Sequence, residues 1–331
     1  MSPEPVRPPV RRVEVVMPAH DEEYHIEHAL RALQAAAQAL AERRPSVTVG
    51  ITVVLDHCTD GSADIAARIA ATDERFSVLH QTFRNAGASR AAGVAAALGH
   101  GPPRLENTIP ESPGPERPGL GGIWLASTDA DSRVPENWLW RQLELADAGW
   151  DVVLGSVEPD PRGMDPEVLR RWRSRHPVQE RHPHVYGANL GVRASAYLLA
   201  GGFPEIPSSE DSVLVGRLRR RGFAVVATDT IRVVTSGRTS ARAPHGFGAY
   251  LRTLGAVSYT HLDVYKRQWL SRPADRPPRS GAAPARRFPP SSSAPAPPSS
   301  LYFSRSSRPR RMSSSSFSWS LSLFLVSRGG S

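Results

Sequence analysis

Cysteine is nearly absent: Cys58 is the single one in 331 residues. An intrachain disulfide needs two, so a disulfide-built secreted scaffold is excluded. A four-cysteine zinc site is excluded by the same count. Lysine is just as scarce. Lys266 is the only one, and arginine supplies every other permanent cation. The opening MSPEPVRPPVRR lacks the apolar core of a secretory signal. The last apolar patch, Phe317 to Val326, is too short to span a bilayer. A charge surplus is also missing from most of the chain. The net charge is +9, but the ten arginines and one aspartate of residues 269–331 account for all of it. Residues 1–268 are balanced and give no electrostatic case for nucleic acid, so none is expected as a partner.

What is present falls into unequal parts. Residues 1–12 are Pro- and Arg-rich and read as a flexible lead. Residues 269–331 are rich in Ser, Pro and Arg, a composition that cannot bury enough apolar surface to offset chain entropy, and are expected to be disordered. Between the body and this tail lies Val257 to Gln268, VSYTHLDVYKRQ. It back-translates to an inverted repeat resembling two sequencing-library transposon ends joined head to head. The expectation is a natural frame interrupted at Val257, with an artefactual tail beyond it.

Residues 13–256 alternate between two periodicities. Val13–Met17, Val47–Leu55, Phe76–His80, Ile123–Ser127 and Val152–Val157 are short apolar or β-branched runs that read as strands. Glu22–Arg43, Ala63–Ala71, Ala88–Leu98 and Glu136–Ala148 carry apolar residues at helical spacing. Residues 100–122 are too rich in Pro and Gly for regular structure. Strands separated by helices predict an α/β, Rossmann-like, mostly parallel central sheet with helices on both faces. Ligands of such sheets bind beyond the carboxyl ends of the strands.

Each of those ends carries polar residues that a mere connection does not need. Pro18-Ala19-His20-Asp21-Glu22 follows the first strand and Asp56 through Ser62 the second. Asn85-Ala86-Gly87-Ala88-Ser89-Arg90 follows the third and Asp129-Ala130-Asp131 the fourth. Two carboxylates one residue apart at a strand end suit Mg2+ or Mn2+, which prefer oxygen ligands completed by phosphate and water. The plain structural alternative is a helix N-cap at Asp131 or Ser132. Further on, Glu210-Asp211 precedes an apolar helical face. There the two acids either complement a helix dipole or provide a general base.

Taken in order, these segments resemble the family 2 glycosyltransferases over roughly Val13 to Val234. Val15 to Glu22 is similar to the family's opening strand and P-A-x-[ND]-E loop. Asp56 to Ser62 is similar to its D-G-S-T-D-G-T segment, and Asn85 to Arg90 to its N-x-G-x-x-x-[RK] segment. Asp129-Ala130-Asp131 matches D-x-D, Gly187 to Arg193 with Gly201-Gly202-Phe203 matches G-x-N-x-x-x-R and G-G-F, and Glu210-Asp211 matches the E-D pair. The resemblance implies a GT-A fold and an inverting sugar transfer from a nucleotide-diphosphate sugar. It places the donor on Pro18, His20, Asp21, Glu22, Asp56, Asn85, Arg90 and Asp129. Mg2+ or Mn2+ would sit on Asp131 assisted by Asp129. Gly187, Asn189 and Arg193 would face the sugar and acceptor, and Asp211, beside Glu210, would be the base. The acceptor is expected to be a small molecule or lipid-linked. The setting is cytoplasmic, with association at the inner membrane face left open.

The chain also departs from the pattern. Leu55 stands where many members have a further acid, and His57-Cys58 replace Gly-Ser. Many members carry a histidine just after the last core strand; Val233 to Arg238 has none, leaving Arg238 or Arg242 to contact phosphate or the more distant His245 to fill the gap. The Gln-x-x-Arg-Trp motif of processive synthases is absent. Two alternatives stay open: a sugar-nucleotide-binding protein without catalysis, and a nucleotidyltransferase. The second usually needs a Gly-rich basic loop after the first strand, where this chain has Ala19-His20-Asp21-Glu22-Glu23.

Overall fold

A computed structural model describes residues 7–99, 119–239 and 246–256. Outside them fall residues 1–6 of the expected lead, residues 100–118 of the Pro/Gly-rich loop, Arg242 and His245, the 257–268 junction and the 269–331 tail. The chain runs β1 (Arg12–Ala19), α1 (Ile26–Arg43), β2 (Thr48–Asp56), α2 (Ser62–Ala70), β3 (Phe76–Gln81) and α3 (Ala86–Ala97). It continues with β4 (Ile123–Ser127), β5 (Ser132–Arg133), α4 (Trp138–Asp147), β6 (Val152–Pro159) and α5 (Pro166–Arg175). After these come β7 (Leu190–Arg193), α6 (Ala194–Leu199), α7 (Glu210–Arg220) and β8 (Val225–Thr235). A last helix, α8, covers residues 247–256.

One sheet holds all eight strands, in the order β3-β2-β1-β4-β7-β6-β8-β5. The first four are mutually parallel. β7 enters antiparallel between β4 and β6, β8 then runs parallel to β6, and β5 closes the far edge antiparallel to β8. The expected α/β sheet is observed; β5, β7 and β8, with α5 and α6, are not among the runs that the periodicity marks, and β7 is the antiparallel strand at its centre. It is only four residues long, too short to show a pattern.

Strand alternation sends side chains to two buried layers. Val13, Val15, Met17, Ile51, Val53, Trp124 and Ala126 join α1, α2 and α4 through Leu30, Leu33, Leu40, Ala66, Leu139 and Leu143. Val16, Val54, Ile123 and Leu125 face the other way and meet α3, α6 and α7 through Ala91, Val94, Tyr197, Leu214 and Leu218. Leu30, Leu33 and Leu40 are fully buried, and withdrawing each from water contributes about 2 kcal/mol. A smaller third cluster joins α5 to α8 through Val168, Trp172, Leu251 and Leu254.

Helix starts differ from the sequence reading in an informative way. α1 begins at Ile26 rather than Glu22, because the Glu22 carbonyl accepts from the His25 and Ile26 amides and makes a turn first. α3 begins at Ala86, earlier than Ala88, because the Asn85 side chain accepts from Ala88 N at 2.9 Å and caps it. α4 begins at Trp138, with Asn137 at its N-cap. Asp131 and Ser132 are therefore not its cap; Asp131 lies in the turn into β5 and Ser132 is that strand's first residue.

Candidate active site

The turn from β4 into β5 fixes the two aspartates. Ser132 N donates to the Asp129 carbonyl at 3.1 Å, and Ser236 N to the Asp131 carbonyl at 3.1 Å. Ser132 Oγ and Thr235 Oγ1 are 2.8 Å apart, so the turn is tied to the end of β8. Beside it a cavity of about 1040 Å3 opens past the ends of the parallel strands. Of the residues picked from sequence, Pro18, His20, Glu22, Asp56, Asn85, Arg90, Asp129, Asp131, Gly187, Glu210 and Asp211 line it. They come from segments spread across almost the whole described chain, which is the strongest sign of a built site.

Arg90 is the hub. It is 3% exposed, and its guanidinium pairs with both Asp129 and Glu210 while Nε donates to Ser127 Oγ at 3.1 Å. Burial alone would lower its pKa, but those two carboxylates more than offset this and keep it a fixed cation. A side chain at Gly187 would run into that guanidinium, its Cβ 2.7 Å from Nη2, so the glycine lets the turn before β7 approach. Burial pushes the Asp129, Asp131 and Glu210 carboxyls above the usual carboxylate range. Arg90 opposes this at Asp129 and Glu210, and Arg238 opposes it at Asp131. Asp211 Oδ2 accepts from Gly187 N at 2.6 Å, and Oδ1 from Ser212 N at 2.6 Å. Ser209 precedes the pair at φ +67°, a left-handed turn that sets Glu210 and Asp211 at the head of α7.

Asp56 is buried and organises the neighbouring loop. Its oxygens accept from Arg84 N at 2.8 Å, Asn85 N at 2.9 Å and Ser89 Oγ at 2.8 Å. His20 Nδ1 lies 2.7 Å from the Asp56 carbonyl oxygen. Three residues picked from sequence are not brought into the cavity lining. Asp21 accepts from Thr59 N at 2.7 Å and from Thr59 Oγ1, pinning the loop after β1 to the loop after β2. Asn189 is fully buried, its amide donating to the Ser156 and Ile231 carbonyls and accepting from Trp138 Nε1. Arg193 donates to the carbonyls of Pro8, Gly121 and Ala146.

One wall escaped the sequence reading. Trp172, His176, His184, Tyr186, Phe247 and Tyr250 line the cavity. His176 stacks on Trp172 at 3.6 Å between ring centroids, and burial lowers its pKa. The signal was present: Trp172 and His176 are four apart, while His182, His184 and Tyr186 alternate.

The lining suits a divalent cation. Six carboxylates (Glu22, Asp56, Asp129, Asp131, Glu210, Asp211) face three guanidiniums (Arg84, Arg90, Arg238). Asp129 and Asp131 offer hard oxygen donors, the Asp129 side chain still 35% exposed to the cavity. Among the described residues Asp21, Cys58 and Asp60 also converge. Their carboxylates are already bonded to the amides of Thr59, Glu23 and Ser62, as befits a loop stitch. Among the described residues no helix is long and apolar enough to cross a membrane.

Residues 14–197 match the family described as glycosyl transferase family 2. Among solved structures the chain is similar to a mannosyltransferase from Pyrobaculum calidifontis, PcManGT, in complex with GDP-Man and Mn2+, at 18% identity and TM-score 0.47. That match covers 71% of this chain and 59% of the other, so the chain spans about three fifths of that relative. It is similar to S. aureus TarS 1-349 in complex with UDP, at 15% identity and TM-score 0.46, over 68% of this chain and 61% of that one. It is also similar to GalNAc-T7 with UDP, GalNAc and Mn2+, at 12% identity and TM-score 0.48, over 71% and 46%.

Proposed function

We propose that this chain, which belongs to glycosyl transferase family 2 and is a glycosyltransferase, inverts the anomeric centre of the sugar it moves from a nucleoside diphosphate to an acceptor hydroxyl. The nucleoside lies against Pro18, His20, Glu22, Asp56 and Asn85. Asp131 and Asp129 hold Mg2+ or Mn2+, which when bound neutralises the diphosphate leaving group. Arg90 keeps Asp129 and Glu210 in place on either side of the reacting region. The acceptor enters from the Gly187 side, where the cavity is lined by Tyr186 and His184. Asp211 takes the hydroxyl proton as the acceptor oxygen bonds to the anomeric carbon. The bond from that carbon to the phosphate oxygen breaks, and nucleoside diphosphate leaves. The acceptor is a small molecule or lipid-linked, since the motif of processive synthases is absent.

The observation that carries this reading is the head of α7. Asp211 stands on the cavity wall with Oδ2 held 2.6 Å from Gly187 N, beside the Glu210–Arg90–Asp129 chain. Asp211→Asn keeps the shape and removes the base. Turnover is expected to fall about a thousandfold, within the usual contribution of a general base. Binding of nucleoside diphosphate with Mn2+, followed by calorimetry, should stay within about twofold. Turnover near wild type would remove Asp211 from the base role. Release of pyrophosphate instead of nucleoside diphosphate would favour the nucleotidyltransferase alternative.

A further inference from the structure

Arg238 follows β8 by three residues and reaches back across the cavity. Nη1 donates to Glu22 Oε2 at 2.7 Å and Nη2 to Glu22 Oε1 at 2.5 Å. Nη2 also lies 3.0 Å from Asp131 Oδ2. Both acids are largely withdrawn from water, with side chains 7% and 15% exposed. The other Asp131 oxygen is already engaged, accepting from Thr235 Oγ1 at 3.2 Å and Ser132 Oγ at 3.3 Å. Oδ2 is therefore the oxygen left for an incoming cation, and the Arg238 guanidinium stands on it. A divalent ion binds carboxylate oxygen at about 2 Å. Two cations crowded onto one oxygen repel each other.

We infer that Arg238 is an exchangeable occupant of the metal's place: it neutralises Glu22 and Asp131 while the donor is absent and transfers to the diphosphate when donor and metal enter. The inference rests on the placing of the diphosphate over Asp129 and Asp131. Its chemistry follows from the side chain. Two acids drawn out of water need a positive partner. A guanidinium is always charged, and its planar fork matches phosphate as well as carboxylate. The side chain is long and 25% exposed, so it can change partner without disturbing the core. Metal and donor then bind as a pair, because each makes room for, or gains from, the other's arrival.

The test is Mn2+ titration of the full chain by electron paramagnetic resonance, first without nucleotide. Arg238→Gln should bind Mn2+ about tenfold more tightly than wild type, since the competitor is gone. Arg238→Lys keeps a charge but loses the fork and should fall between the two. With Mn2+ saturating, GDP and UDP are titrated in turn; the one that binds wild type should bind Arg238→Gln about tenfold more weakly. Added Mn2+ should raise the Tm of Arg238→Gln more than that of wild type, which also verifies that the variant is folded. Asp131→Asn separates two failures. Loss of Mn2+ binding in Asp131→Asn, with equal affinity in wild type, Arg238→Gln and Arg238→Lys, overturns the role of Arg238 and spares the metal site. Mn2+ binding untouched by Asp131→Asn removes the metal placement and this inference with it.

Discussion

The Asn189 amide is committed to backbone that strand pairing leaves over. It bridges the Ser156 carbonyl at 2.8 Å and the Ile231 carbonyl at 2.7 Å, beside the irregular pairing of β6 with β8 near Gly155. Gly155 has to be glycine for this, since a Cβ there would lie 2.1 Å from the Asn189 amide nitrogen. Asn189→Ala strands two carbonyls and the Trp138 indole N–H. It should cost about 3 kcal/mol, read as a lower urea midpoint with unchanged slope. Single residues were legible when their neighbours in sequence are also neighbours in space. Asp129 with Asp131 and Glu210 with Asp211 are such pairs, and both reach the cavity. A motif letter alone says less: Asn189 and Arg193 fit the pattern, yet their side chains hold carbonyls. The Glu22–Arg238 pair could not be read at all, because its members are 216 positions apart.

Elements were legible wherever side chains repeat with a period. The four parallel strands and the helices between them appear where the β-branched runs and Ala/Leu spacing put them, and their ends shift for local reasons. The Glu22 turn delays α1, and the Glu22 carboxylate pairs with Arg238. The Asn85 cap advances α3. Packing of α3 against the sheet depends on a residue that no periodicity marks. A Cβ at Gly93 would fall 2.4 Å from Val16 Cγ1 and 2.9 Å from Val54 Cγ2. Gly93→Ala should improve helix propensity yet destabilise by about 2 kcal/mol, because the helix must move off β1 and β2. Since α3 is capped by Asn85 and carries Arg90, that shift should also weaken nucleotide binding, whereas a surface change such as Gln38→Ala should not. Calorimetry on both variants checks this. β7, at four residues, is too short to carry a signal, and the spacing of the aromatic wall does not show that α5 and α8 meet, because they lie far apart in sequence.

At the scale of the molecule, charge is distributed by region. The whole surplus of +9 resides in residues 269–331. Ending the chain at Ala256 should abolish retention on heparin at low salt and leave nucleotide binding unchanged, since every described lining residue precedes that point. Retention that persists would locate a basic face on the body instead. The order of the sheet has a consequence in time. Strands β3, β2, β1 and β4 are neighbours and are all translated by Ser127. That half can close as it leaves the ribosome, with the β4 edge left open until Leu190–Arg193 emerge to cover it. Asp129 and Asp131 are made early, Glu210 and Asp211 much later, and Arg238 after them. A nascent chain therefore holds half of the proposed site for a long stretch of its synthesis. Thr235, Ser236 and Arg238 belong to the cavity lining, so a ribosome that stalls before Thr235 leaves that wall unbuilt.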